Sequence, residues 1–73
     1  MERTPVHSSN IRAIGYDEKE EVLEIEFNKG GVYQYTGVPK EIHKMLMDAG
    51  SKGKFFHRHI RPKQHMFKYK RVS

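Results

Sequence analysis

Residues 21–28 alternate in character: Leu23, Ile25 and Phe27 fall between Glu24 and Glu26. Successive side chains of a strand point to opposite faces, so this period of two fits a strand with one buried face and does not fit a helix. Asn28-Lys29-Gly30-Gly31 comes next, and paired glycines supply the positive φ that a tight hairpin needs. Val32–Thr36 then returns as the partner strand, rich in β-branched and aromatic residues. Upstream, residues 10–16 read as a short strand and Asp17-Glu18-Lys19-Glu20 as a polar turn. Together these predict a three-stranded antiparallel meander whose apolar face needs a cover.

The cover comes from residues 39–49. Pro39 suits a helix start, where its missing N–H costs nothing, and Glu41 sits favourably near the positive end of the helix dipole. Ile42, Met45, Leu46 and Ala49 fall at i, i+3, i+4 and i+7, one apolar stripe. Gly50 suits the stop. Ser51 then caps a shorter basic helix that carries Phe55, Phe56, His59 and Ile60 and ends before Pro62. The expected architecture is α+β: a three-stranded antiparallel β-meander covered by one α-helix plus a shorter basic second helix. Leu23, Ile25, Phe27, Ile42, Met45, Leu46 and one of Phe55 or Phe56 are the expected core. Residues 1–5 are expected to be flexible and 6–73 to form one domain, fraying at 70–73. The alternation across His65-Met66-Phe67-Lys68-Tyr69-Lys70 is weak, and leaves a fourth strand and an extended arm both open. At 73 residues the chain is one domain; a chain this small buries only about 60% of its unfolded surface, and a deep substrate cavity is not expected. It has no cysteine, which removes disulfides, Cys-based zinc sites and a Cys nucleophile. No apolar run suggests a secretory signal or a membrane span, so a cytoplasmic protein without membrane association is expected.

Charge is segregated. Residues 1–48 hold all nine acids and six Lys/Arg, whereas residues 49–73 hold eight Lys/Arg and no acid. A one-signed third of the chain makes a positive field that attracts polyanions. Within it, Lys52, Lys54, Arg58, Arg61, Lys63, Lys68 and Lys70 are the candidate phosphate contacts. Contact with about five phosphates of a single strand predicts a slope of log K against log salt near −3.5. Tyr33 and Tyr35 lie two apart on a strand and share a face. They form a stacking platform for unpaired bases if that face is open, and core if it is covered. Gly50-Ser51-Lys52-Gly53-Lys54 combines free backbone N–H groups with two lysines at a helix start, an arrangement suited to a phosphate, though it lacks Walker spacing. A helix-to-helix turn with a Ser cap is the plainer reading. His57-x-His59 has no acid or Cys beside it in the basic third, and metal binding is not expected. Glu24 and Glu26 read as an exposed acidic face. Ser8, Ser9 and the histidines show no triad spacing, so neither catalysis nor a cofactor is expected.

Several short motifs resemble the KTSC domain, a module named for its occurrence at the C-terminus of some lysyl-tRNA synthetases and also found alone in bacterial and phage proteins. They are Ser8-Ser9-Asn10-Ile11, Ile14-Gly15-Tyr16-Asp17, Leu23-Glu24-Ile25-Glu26-Phe27, Gly31-Val32-Tyr33-Gln34-Tyr35, Gly37-Val38-Pro39, and Ala49-Gly50-Ser51-Lys52-Gly53-Lys54-Phe55-Phe56 with Ile60-Arg61. The resemblance spans roughly residues 6–69. His43 stands in a region where some members carry an aromatic. The resemblance implies a small α+β module for which RNA binding has been the usual suggestion. The leading expectation is a non-catalytic nucleic-acid-binding module, RNA or single strands favoured, using the seven cations above with Tyr33 and Tyr35. The alternative is a protein-interaction module whose basic side docks an acidic partner, or whose open sheet edge or arm at 65–72 pairs with a partner's strand.

Overall fold

A computed structural model describes residues 1–63 and 66–73. Five strands form one antiparallel sheet in chain order: β1 (Arg3–Pro5), β2 (Ile11–Asp17), β3 (Val22–Phe27), β4 (Val32–Thr36) and β5 (Tyr69–Arg71). Helices α1 (Lys40–Asp48) and α2 (Lys52–Phe55) lie in the connection from β4 to β5. The expected meander is therefore the centre of a wider sheet. β1, inside the stretch expected to be flexible, pairs onto β2 along Arg3–Pro5. β5 pairs onto β4, and the backbone N–H of Val72, within the stretch expected to fray, donates to the Val32 carbonyl at 2.7 Å. It also closes the edge of β4 that the strand-pairing alternative needed. Residue 65 of the expected arm, with residue 64 before it, lies outside the described residues.

The β3–β4 hairpin closes as its glycines predict: Gly30 and Gly31 have φ of 100° and 92°, and Gly30 N–H donates to the Phe27 carbonyl at 3.0 Å. One sheet face carries Ile14, Leu23, Ile25, Tyr33 and Tyr35, brought into line by the pairs Ile14↔Ile25, Leu23↔Tyr35 and Ile25↔Tyr33. The helices cover it. Leu46, Phe56, Ile60, Val38, Ile11 and Phe67 complete the buried cluster.

Two expectations about burial are corrected. Met45 is 52% exposed, and Met47 packs against the core instead. Apolar residues at 42, 45, 46, 47 and 49 permit two helix phases. The one adopted centres on Leu46 and turns His43 inward, where its ring stacks on Tyr16 at 4.5 Å and 8°. Burial there holds the His43 pKa below its usual value. Of the two phenylalanines, Phe56 is the buried one.

The second correction concerns the other sheet face. Glu24 is 4% exposed rather than part of an open acidic surface. The registers align Arg3, Gly15, Glu24, Gln34 and Lys70 in one row across all five strands. Arg3 crosses Gly15, forms an ion pair with Glu24 and reaches Glu26 at 3.3 Å. Gln34 Nε2 donates to Glu24 Oε1 at 2.7 Å. Burial alone would push the Glu24 carboxyl up; the hydrogen bonds from Gln34 and Arg3, with the guanidinium charge, outweigh it and hold the carboxyl below its usual range.

Candidate functional site

The helical run does not stop at Phe55. It widens into a π turn over Phe56–Ile60 and tightens into a 3-10 turn over Arg61–Lys63, so Pro62 lies within it rather than beyond it. Single-turn π segments recur at functional sites. Here the turn buries Phe56 and Ile60 and leaves His57 and Arg61 exposed four residues apart. Arg61 Nη1 lies 3.4 Å from His57 Nδ1; the guanidinium has only donors, so that imidazole nitrogen is the acceptor.

These two residues border a groove of about 510 Å³ between the helical run, the β3–β4 turn and the C-terminal side of the sheet. Tyr35 and Phe56 are its deepest-set rings, 5.4 Å apart and edge to face. Tyr33 is half-buried, and Tyr69 is 48% exposed. Tyr69 stacks near Tyr35 at 5.7 Å and 28°, and lies 6.1 Å from Tyr33. Both possibilities for the Tyr-x-Tyr pair are thus realised, one on each ring: Tyr35 is core and Tyr33 lines an accessible surface. Burial, then the neighbouring Tyr69 and Tyr33, push the Tyr35 hydroxyl up to about 12 against a smaller lowering by Arg61. It therefore stays protonated and uncharged at neutral pH.

Lys29 also lines the groove, from the hairpin. The Arg71 guanidinium rests 5.9 Å from the Tyr33 ring centre, and its Nε donates to the main-chain oxygen of Ser73 at 3.0 Å. None of the described residues lining the groove is acidic. An exposed aromatic surface ringed by guanidinium, ammonium and imidazole groups suits a planar, anionic ligand.

The seven cations expected from sequence are not gathered in one place. Arg61 lines the groove. Lys52 Nζ donates to the Ala49 carbonyl at 3.2 Å and serves the end of α1. Lys70 pairs with Gln34 on the Glu24 face, opposite the tyrosines. Lys54, Arg58, Lys63 and Lys68 are exposed but do not line the groove. The Gly50–Lys54 motif is used for packing: Ser51 Oγ accepts from the Lys54 N–H at 3.4 Å. A Cβ on Gly53 would lie 3.2 Å from Asn10 Nδ2 and 3.3 Å from Ser8 Oγ. Sequence reasoning missed Lys29, Tyr69 and Arg71. Tyr69 and Arg71 share the parity of Tyr33 and Tyr35, a signal visible only once residues 69–71 are known to be a strand.

A second hollow, near Tyr16 and His43, is bordered by Glu18, Glu41, Lys40 and Lys44; its balanced charges favour no ligand sign. Among the described residues no cluster of three His, Asp or Glu could hold a metal ion, and no helix is long and apolar enough to cross a membrane.

A family-wide profile of the KTSC domain matches residues 7–64. An uncharacterized protein of Stutzerimonas stutzeri is 39% identical over 73 residues, covering the whole of both chains. The lysine–tRNA ligase of Nostoc punctiforme holds a stretch 38% identical over 65 residues, which is 89% of this chain and 11% of the ligase. The crystal structure of a KTSC domain protein from Yersinia pestis is similar with a TM-score of 0.92 at 44% identity, covering 99% of this chain and 97% of the other. Agreement in sequence and in shape along nearly the whole length places this chain in the KTSC domain family.

Proposed function

We propose that the protein is a non-catalytic module that binds single-stranded nucleic acid, RNA in preference, in the groove between the π turn and the C-terminal side of the sheet. The observation that carries this reading is the joint placement of accessible Tyr33 and Tyr69 with Arg61 and Lys29 on the lining and Arg71 beside the Tyr33 ring, with no acidic side chain among the described lining residues. An unpaired base stacked on such a ring gains about 1–3 kcal/mol whatever its identity, and guanidinium groups take the adjoining phosphates. A similar stretch within lysine–tRNA ligases, enzymes whose named partner is tRNA, adds support for RNA. The role belongs in the cytoplasm.

The test is fluorescence anisotropy of labelled single-stranded and double-stranded RNA at low ionic strength. Single strands should bind more tightly than duplex, and Tyr69→Ala should weaken them. No binding of single strands, together with retention of an acidic protein partner after nuclease treatment, would overturn the reading in favour of protein docking.

A further inference from the structure

The charge count of the C-terminal third suggests a long strand laid across many cations, and the geometry does not support that. We propose that the groove takes one unstacked base with its flanking phosphates, rather than a run of nucleotides. This deepens the proposed function and rests on it.

Size comes first. About 510 Å³ lies within the range of roughly 300–1,000 Å³ occupied by a single small-molecule ligand. General single-strand binders track roughly 4–16 nucleotides per fold along a continuous basic channel. Here the body measures only 25 × 24 × 21 Å, and its cations do not line up. Lys70 sits on the opposite sheet face beside Gln34, and Lys52 is committed to the Ala49 carbonyl. Lys54, Arg58, Lys63 and Lys68 stand away from the lining.

The accessible ring surface has the same limit. Tyr35 and Phe56 are buried, and half-buried Phe27 meets Tyr33 edge to face at 5.7 Å and 76°, so Tyr33 and Tyr69 are taken as the platform. These two are 6.1 Å apart and tilted by 45°, so they are not two parallel shelves for successive stacked bases. They form one angled seat. Arg71 rests on Tyr33 and Arg61 stands beside His57, so a base in the seat has a guanidinium from each of two different elements near it. With Lys29, the groups at hand neutralise about three phosphates at most. The Tyr35 hydroxyl, uncharged, supplies a donor or acceptor for the base edge.

Two readouts test this, both on the full chain: affinity across oligouridylates of one, two, four and eight nucleotides, and the salt dependence of the octamer. The site predicts affinity that levels off by two to three nucleotides, apart from the modest gain from extra registers on longer chains. It also predicts a salt slope no steeper than about −2.1, against about −3.5 for five phosphates. Affinity that climbs steadily to eight nucleotides with a slope near −3.5 overturns the single-base site and leaves nucleic-acid binding standing. Failure of every oligonucleotide to bind at low salt overturns both. Lys70→Ala should leave the octamer slope unchanged, whereas Arg61→Ala should make it shallower; the reverse pattern also contradicts the proposal.

Discussion

Gly15 is the most sensitive point of the sheet. A Cβ there would lie 2.7 Å from the Glu2 carbonyl oxygen, 3.1 Å from Arg3 Cγ and 3.3 Å from Met1 Cγ. A contact that short to a backbone atom is not relieved by turning a side chain, so Gly15→Ala must lift β1 from β2. Gly15 is not at positive φ, so alanine fits its own backbone and the strain arises between two strands of the chain, β1 against β2. Overpacking of this kind costs about 1–3 kcal/mol, and each kcal/mol lowers Tm by about 4–8 °C in a domain of this size. Lifting β1 also withdraws Arg3 from Glu24, leaving that buried carboxylate with Gln34. The assay is urea unfolding followed by circular dichroism, in the full chain and in a chain lacking residues 1–5. Residues 1–5 are exposed and contribute nothing to the buried cluster, so the shortened chain keeps its core. In it the three atoms nearest the new Cβ are gone, and alanine should stabilise by roughly 0.5–1 kcal/mol through its lower backbone entropy. The sign of the substitution should therefore reverse between the two backgrounds. An equal loss in both, or no loss in the full chain, would refute the claim that β1 docking is what requires glycine.

Leu46→Ala should cost about 2–5 kcal/mol, while Met45→Ala stays within about 0.5 kcal/mol, because Leu46 is fully buried and Met45 faces solvent; urea midpoints decide it. Arg61→Ala should weaken single-stranded RNA about tenfold, the low end for a charge-assisted hydrogen bond at an exposed site, whereas Lys70→Ala should have little effect; anisotropy measures both. Glu24 has its folded pKa below the ordinary 4.5, so its contribution is complete above that pH and is lost as pH falls through the folded value; Glu24→Gln should flatten that acid limb in a stability-versus-pH series. Tyr35 is raised from 10.0 to about 12, so its contribution is complete below pH 10 and is lost as pH rises towards 12; burial and nearby acids also raise Tyr16, so in tyrosinate absorbance Tyr35→Phe should remove the last group to titrate and leave the Tyr16 delay in place.

The centre of the fold was legible because β3 carries its own signal. Leu23, Ile25 and Phe27 alternate strictly with acids, and two glycines mark the turn. The edge strands carry none: Arg3–Pro5 and Tyr69–Arg71 are three residues each and wholly exposed, so their pairing comes from the neighbouring strand and not from a hydrophobic period. Glu24 was misread for the same reason. Nothing local to it shows that Arg3, 21 residues away, will cover it. The helix phase was ambiguous from local pattern, since stacking of His43 on Tyr16 selects it. At the site, charge segregation pointed to the right third of the chain but not to the right cations. Strand parity places Arg71 with the tyrosines and Lys70 on the opposite face, and the hairpin brings in Lys29 from the acidic half.

The ring-proton NMR signals of Tyr33 and Tyr69, followed while a short oligouridylate is added at low ionic strength, bear most directly on the groove. Stacking of a base predicts upfield ring-current shifts of both tyrosines together with shifts at the Arg61 and Arg71 side chains, and Lys70 unmoved. Shifts confined to Lys52, Lys54 and Lys70, with both tyrosines still, would contradict it.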